Sequence, residues 1–133
     1  MNFSNLNKIK VLLVDDDPVS SFIVSRKLIK LGIEKIGTAE NGAEALKFLE
    51  KNEPHLIFLD INMPIMDGLE FMIEFKERKL SEQINIFILS SSGRECDREK
   101  FMGFSNVVGY IEKPLDLKNL NNAISSLNVY NEM

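Results

Sequence analysis

The chain has 133 residues, 44% of them apolar and 27% charged, with a formal net charge of -4, which fills one ordinary domain around a single core and leaves no room for a second. Its lysines and arginines are spread along the chain instead of forming a basic block, which excludes an electrostatic nucleic-acid binder. The lone cysteine, Cys96, excludes an internal disulfide, and no apolar run approaches the roughly 20 residues that cross a bilayer.

The first residues, MNFSNLNKIK, have no apolar secretory core, so the chain is expected to be cytoplasmic. Ile9 to Val14 is a short apolar run, rich in branched side chains, that stops at Asp15, Asp16 and Asp17. A strand buried on both faces ends in this way. Asp17 precedes Pro18 and can cap a helix whose first residue is that proline. Val19, Phe22, Ile23 and Leu28 recur at helical spacing as far as Leu31, Phe22 is expected to pack in the core, and Gly32 ends the helix. A weaker strand over Ile33 to Ala39 follows. Asn41 and Gly42 then open a short helix with Ala45, Leu46 and Leu49 on one face, and Pro54 closes that unit.

The pattern repeats. His55 to Leu59 is an apolar run ending at Asp60, before the loop INMPIMDG and a helix from about Leu69 to Lys79. Ile84 to Leu89 runs into Ser90, Ser91 and Ser92. After a polar helical stretch, Val107 to Ile111 runs into Glu112, Lys113 and Pro114, and Asp116 caps a last helix carrying Leu117, Leu120, Ile124 and Leu127. Five strands alternating with five helices predict an α/β fold with a doubly wound parallel sheet, because parallel neighbours need crossover helices to return the chain.

In such sheets ligands bind outside the carboxyl ends of the strands. Parallel alignment would bring Asp15 and Asp16, Asp60, Ser90 and Lys113 to one edge. Three crowded carboxylates repel one another unless a cation sits among them, and hard oxygen ligands suit a divalent ion, naturally magnesium. Magnesium takes one or two carboxylates, keeps several waters and favours phosphate oxygens. A carboxylate can itself be the nucleophile that forms an acyl phosphate, provided positive charge and hydrogen-bond donors meet the transferring group, and Lys113 and Ser90 can supply these. Taken singly, each feature has an ordinary explanation: a helix cap, a serine loop, a Lys-Pro turn. Capping does not require a lysine and a hydroxyl residue at two further strand ends.

The motifs VLLVDDDP, LDINMPIMDG, ILSSS and GYIEKP, in this order, resemble the receiver domains of two-component response regulators over about residues 8 to 128. The resemblance implies one receiver domain over residues 1–133 with short tails, a flavodoxin-like strand order 2-1-3-4-5, and a cis Lys113–Pro114 bond. It implies that Asp60 is the phosphoacceptor, that Asp15 and Asp16 organise magnesium, with Asp16 a direct ligand, and that the backbone carbonyl of Asn62 completes the metal shell. Pro64 and Gly68 shape that loop, Ser90 and Lys113 meet the phosphoryl oxygens, and Tyr110 is the aromatic switch residue. The implied partners are a histidine kinase or histidine phosphotransfer protein and a downstream protein that reads the helix-four, strand-five, helix-five face. The chain would be a monomer, able to dimerise on phosphorylation, and would act through protein contacts without entering a membrane.

Ser91 stands where the family more often has alanine or glycine, and Asn62 and Ser92 lie at positions that influence how water reaches the phosphoryl group. Asn106, Val107 and Val108 replace the usual approach to the fifth strand, and GRECDREKFMGFS has few apolar residues, so helix four is expected to be mobile. His55 reads as a surface histidine at the far end of its strand from Asp60. Cys96, Met63 and Met66 have no thiolate companions for a soft-metal site. Part of the first helix, at Val19, Ser20 and Phe22, could dock a phosphodonor helix. Two other functions use the same fold. An aspartate-nucleophile phosphohydrolase needs an acid-base aspartate and a capping insertion, but Asn62 stands two residues beyond Asp60 and the loops are short. A phosphorylation-independent interaction module would not need all five key residues.

Overall fold

The computed structural model describes residues 3–91 and 95–132, excluding the side chains of 3–5, 95–97 and 128–132. Ser92 and the Cys96 side chain therefore lie outside the described residues. A 3-10 helix at Phe3–Lys8 precedes the alternating elements β1 (Lys10–Val14), α1 (Pro18–Leu31), β2 (Lys35–Ala39), α2 (Gly42–Leu49), β3 (Leu56–Asp60), α3 (Gly68–Glu77), β4 (Asn85–Ser90), α4 (Glu95–Phe101), β5 (Val107–Glu112) and α5 (Leu117–Glu132). The strands form one sheet in the order β2-β1-β3-β4-β5, every pair parallel. This is the doubly wound sheet and the strand order that the sequence implied, and the Lys113–Pro114 bond is cis.

Helix starts follow the capping chemistry written in the chain. Asp17 accepts the Val19 N–H at 3.0 Å with Pro18 at the first helical position. Asn41 accepts the Glu44 N–H at 2.9 Å, and Asp67 and Glu70 form a reciprocal capping box at the start of α3. Each pairing satisfies a donor that the first turn would otherwise leave open. Gly32 ends α1 at φ 109, a left-handed conformation that glycine adopts without a Cβ penalty.

Because side chains alternate across a strand, each strand feeds both layers. Val11, Leu13, Leu56, Phe58, Phe87 and Leu89 pack with Val24 and Leu28 of α1 and with Leu120, Ile124 and Leu127 of α5. Leu12, Val14, Ile57, Leu59, Ile86 and Ile88 pack with Ala45 and Leu46 of α2, Phe71, Met72 and Phe75 of α3, and Phe101 of α4. Strands buried on both sides explain why the central runs of the sequence are continuously apolar.

Two expectations change. The buried residues of α1 are Ser21, Val24 and Leu28, so Phe22 is not in the core: it is 64% exposed, beside Val19 at 65% and Ile23 at 47%. The helix carries two apolar stripes, and it turns toward the sheet the one whose small Ser21 admits close approach. Leu117, at the start of α5, is also exposed. His55 is half-buried: its Nδ1 accepts the Lys10 N–H at 3.0 Å while its own N–H donates to the Lys10 carbonyl at 2.9 Å, so it extends the β1–β3 pairing by one rung. On β5, Ile86 pairs with Val107 but Phe87 pairs with Gly109, which leaves Val108 as the extra residue of a bulge, 50% exposed.

Candidate functional site

The carboxyl ends of β1, β3, β4 and β5 carry the residues that the sequence pointed to. Asp15 follows β1 directly, and its backbone N–H continues the ladder by donating to the Ala39 carbonyl at 3.0 Å. Asp60 is the last residue of β3 and Ser90 the last of β4. Lys113 follows β5, drawn to the sheet edge by its N–H donating to the Ser90 carbonyl at 2.8 Å. Asp15, Asp60 and Ser90 are buried and Asp16 is exposed.

Asp15, Asp16 and Asp60 each offer a carboxylate oxygen within 4.8 Å of the others. The Lys113 ammonium bridges two of them, donating to Asp15 Oδ2 at 3.0 Å and lying 3.3 Å from Asp60 Oδ2. The remaining oxygens of those two groups are held by backbone: Asp15 Oδ1 accepts the Asp17 N–H and Asp60 Oδ1 the Ile61 N–H, both at 2.9 Å. Burial pushes the Asp60 carboxyl up, against the lowering influence of the Lys113 cation, and the negative Asp15 adds to the rise. Burial alone would pull the Lys113 ammonium down, but its bonds and charge contacts with Asp15 and Asp60 outweigh that and raise it. The three carboxylates form a compact, hard-oxygen donor set with one exposed member, a set suited to a small divalent cation.

Period-two alternation also explains the second pair. Ser90 shares a sheet face with Ile88, and Ile88 stands opposite Tyr110 on β5, so Ser90 and Tyr110 lie on the α2–α4 side, two residues apart in the register. Tyr110 packs against that layer, and its hydroxyl donates to the Arg98 carbonyl at 3.1 Å. The Arg98 guanidinium sits 5.5 Å from the ring centroid, so β5 and α4 are tied at one point by two contacts. Burial raises the Tyr110 phenol, with the Arg98 cation opposing.

The chain matches the family described as response regulator receiver domain over residues 11–125. The chain belongs to that family. Receiver domains are the phosphoacceptor modules of two-component signalling, and that is the functional class of this chain. The receiver is 34% identical over 118 residues to the chemotaxis protein CheY of Halobacterium salinarum, covering 89% of this chain and 95% of that protein. It is 32% identical over 123 residues to the nitrate/nitrite response regulator protein NarL of Escherichia coli, covering 91% of this chain but 55% of NarL, so it spans about half the length of that relative. Among solved structures it resembles the response regulator protein TrrA of Thermotoga maritima in complex with Mg(2+)-BeF, with a TM-score of 0.76, 28% identity, and coverage of 90% of this chain and 98% of that one.

Two features of this receiver's site have no signal in the sequence. Lys27 of α1 donates from Nζ to the Leu115 carbonyl at 2.8 Å, a bond across 88 residues that ties the first helix to the loop carrying Lys113. Between those two elements runs a cavity of about 500 Å³ whose lining includes Asp15 and Lys113 at one end and Val19, Ile23, Phe58 and Leu115 along its length. Both depend on how the crossovers place residues that are far apart in the chain. The exposed, basic contact of Arg98 with Tyr110 was legible only as a charge in a polar stretch.

Proposed function

We propose that Asp60 is the phosphoacceptor of a magnesium-dependent switch, charged by a histidine kinase or a histidine phosphotransfer protein. The observation that carries this reading is the placement of a buried carboxylate at the end of β3, between a lysine at 3.3 Å and two further aspartates, at the open edge of a parallel sheet. An Asp60 oxygen attacks phosphorus, the P–O bond of an acyl phosphate forms, the P–N bond of the donor phosphohistidine breaks, and the leaving imidazole takes up a proton. Ile61 N–H holds Asp60 Oδ1 and orients the carboxylate for that attack. Lys113 stands beside Asp60 to meet the charge of the transferring group, and Ser90 supplies a hydroxyl donor from the neighbouring strand.

Asp15, Asp16, Asp60 and the backbone carbonyl of Asn62 are the ligands in this reading. When bound there, magnesium supplies charge that neutralises the phosphoryl oxygens. The complex of TrrA with Mg(2+)-BeF supports the assignment by likeness. The phosphoryl group adds up to about two negative charges, and in this reading Ser90 turns toward them while Tyr110 follows on the same face. That shifts the population of the α4–β5–α5 surface for a downstream protein. The phosphodonor docks over the cavity beside Lys113, where exposed Val19 and Ile23 of α1 line the wall, and exposed Phe22 of the same helix extends the apolar contact beyond it. The chain works as a signalling switch and not as a turnover enzyme. Among the described residues no helix is long and apolar enough to cross a membrane.

The test is intact mass after incubation with acetyl phosphate or phosphoramidate, with and without magnesium, on the native chain and on Asp60→Asn. One phosphoryl adduct that needs magnesium and is absent from the variant is expected. No adduct under any condition would point to a phosphorylation-independent module, an adduct on Asp60→Asn would mean a different acceptor, and steady release of phosphate from simple esters would favour a phosphohydrolase.

A further inference from the structure

The loop between β3 and α3 has an unusual backbone. Ile65, a β-branched residue 83% exposed, sits at φ 69, in the left-handed region that such side chains rarely enter. The Met66 N–H closes back on the Pro64 carbonyl at 2.7 Å, which makes a three-residue γ-turn of the rare, strained hand centred on Ile65. The exposed side chain recovers little packing in return, and a conformation of this kind persists only where the surrounding structure holds it.

Two glycines provide the hold. At the base of the loop, the Gly68 N–H donates to the Ile61 carbonyl at 2.8 Å, and a Cβ on Gly68 would stand 2.5 Å from the Asp60 carbonyl oxygen. The second hold comes from a different element. The N–H of Gly42, the first residue of α2, donates to the Met66 carbonyl at 2.8 Å. A Cβ on Gly42 would fall 2.7 Å from Met66 Cγ, 2.9 Å from its Sδ and 3.0 Å from its carbonyl oxygen. Met66 is therefore seated on bare backbone, and a donor that every helix start leaves open is used to grip the loop. The seat itself is fixed: Asn41 caps the helix from a buried position, and Ala45 and Leu46 anchor it in the core.

We propose that Gly42 is a positioning residue for the metal site, acting from α2 through Met66 to keep the strained loop in the form that presents the Asn62 carbonyl beside Asp15, Asp16 and Asp60. The inference rests on the reading of Asn62 as a backbone ligand given above. A side chain at position 42 displaces Met66, the turn at Ile65 relaxes, and the carbonyl four residues before Met66 loses its place while all three carboxylates stay unchanged.

Isothermal titration of unphosphorylated protein with magnesium tests this on the native chain, Gly42→Ala, Met66→Ala and Gly42→Ala/Met66→Ala, with melting temperatures taken in EDTA. Gly42→Ala is expected to bind magnesium about tenfold more weakly, at the lower end of what losing a supporting contact behind a metal ligand does. Met66→Ala alone should bind almost as the native chain does, and the double variant should recover most of the lost affinity because the obstructing Cγ and Sδ are gone. A native chain that binds no magnesium overturns the metal reading itself. A native chain that binds, with Gly42→Ala binding equally well, overturns only the role of Gly42, as does a fall in melting temperature with no change in Kd. Should Gly42→Ala not fold, the double variant decides: affinity near that of the native chain supports the seat, and affinity about tenfold weaker refutes it.

Discussion

Replacing Lys113 by methionine keeps most of the apolar stem and removes the ammonium, both its charge and its hydrogen bond to Asp15. The ammonium lies 3.0 Å from Asp15 Oδ2 and 3.3 Å from Asp60 Oδ2, with the lysine side chain 25% exposed and the carboxylates 8% and 11%. Removing one partner of a fully buried pair costs about 3–5 kcal/mol and of an exposed pair at most about 1 kcal/mol. A lysine one-quarter exposed falls between these limits, so Lys113→Met should lose about 2 kcal/mol of stability in EDTA. Magnesium reverses part of the loss. The lysine repels a divalent ion brought among the same carboxylates, and a unit charge pair at about 4 Å is worth roughly 1 kcal/mol in water and roughly 4 near a protein surface. The variant should therefore bind magnesium at least about fivefold more tightly than the native chain, taking the lower of those energies. Because a ligand stabilises the folded state by RT ln(1 + [L]/Kd), the deficit should shrink by about 1 kcal/mol once magnesium is saturating. Urea unfolding followed by circular dichroism, in EDTA and in excess magnesium, reads both numbers. An equal deficit in the two buffers, or none in EDTA, would refute the electrostatic account of the site. Acetyl phosphate labelling of the variant should also slow by about a hundredfold, the usual effect of deleting one charge-stabilising donor.

The two aromatic residues Phe22 and Phe71 should separate in a plain stability test. Phe22→Ala removes an exposed ring and should cost less than about 0.5 kcal/mol, whereas Phe71→Ala empties a site 0% exposed and should cost about 3–5 kcal/mol; comparable losses in urea would mean that α1 is turned differently. His55 should make stability depend on pH with a definite sign. Burial and the nearby Lys10 cation lower its pKa from 6.5, and a protonated Nδ1 could no longer accept the Lys10 N–H. The folded state then holds fewer protons than the unfolded state, so this contribution is complete above about pH 6.5 and is lost as pH falls through the folded pKa. Unfolding curves either side of that pH, compared with His55→Ala, isolate the effect, and an identical pH dependence in the two chains would rule it out.

Much of the candidate site was legible before any fold was known, for a local reason. In a parallel sheet a residue at the open edge stands directly after an apolar run, so VLLVDD, FLD, ILS and YIEK each show a strand and the candidate site residue at its end within a few letters. The alternation of runs with capped helices then leaves little choice but a parallel sheet. The inner face of α1 was not legible in that way. Val19, Phe22 and Ile23 make as good a stripe as Val24 and Leu28, and helical spacing alone does not say which one meets the sheet. The role of His55 as a backbone acceptor and the bulge at Val108 were equally hidden, because each depends on register with a neighbouring strand.

The sequence by itself determined the elements, their caps, the parallel architecture and the identity of the residues at the sheet edge, because these rest on contacts within a few residues or on periodicity along one segment. Only the tertiary structure decided that Lys113 bridges Asp15 and Asp60, that Lys27 reaches Leu115, that Arg98 and Tyr110 tie α4 to β5, and that Gly42 seats Met66. Those pairs lie between 12 and 98 residues apart in the chain. They meet because each crossover helix carries the chain back to the same edge of the sheet, and no pattern within either partner's own segment records where the other will arrive.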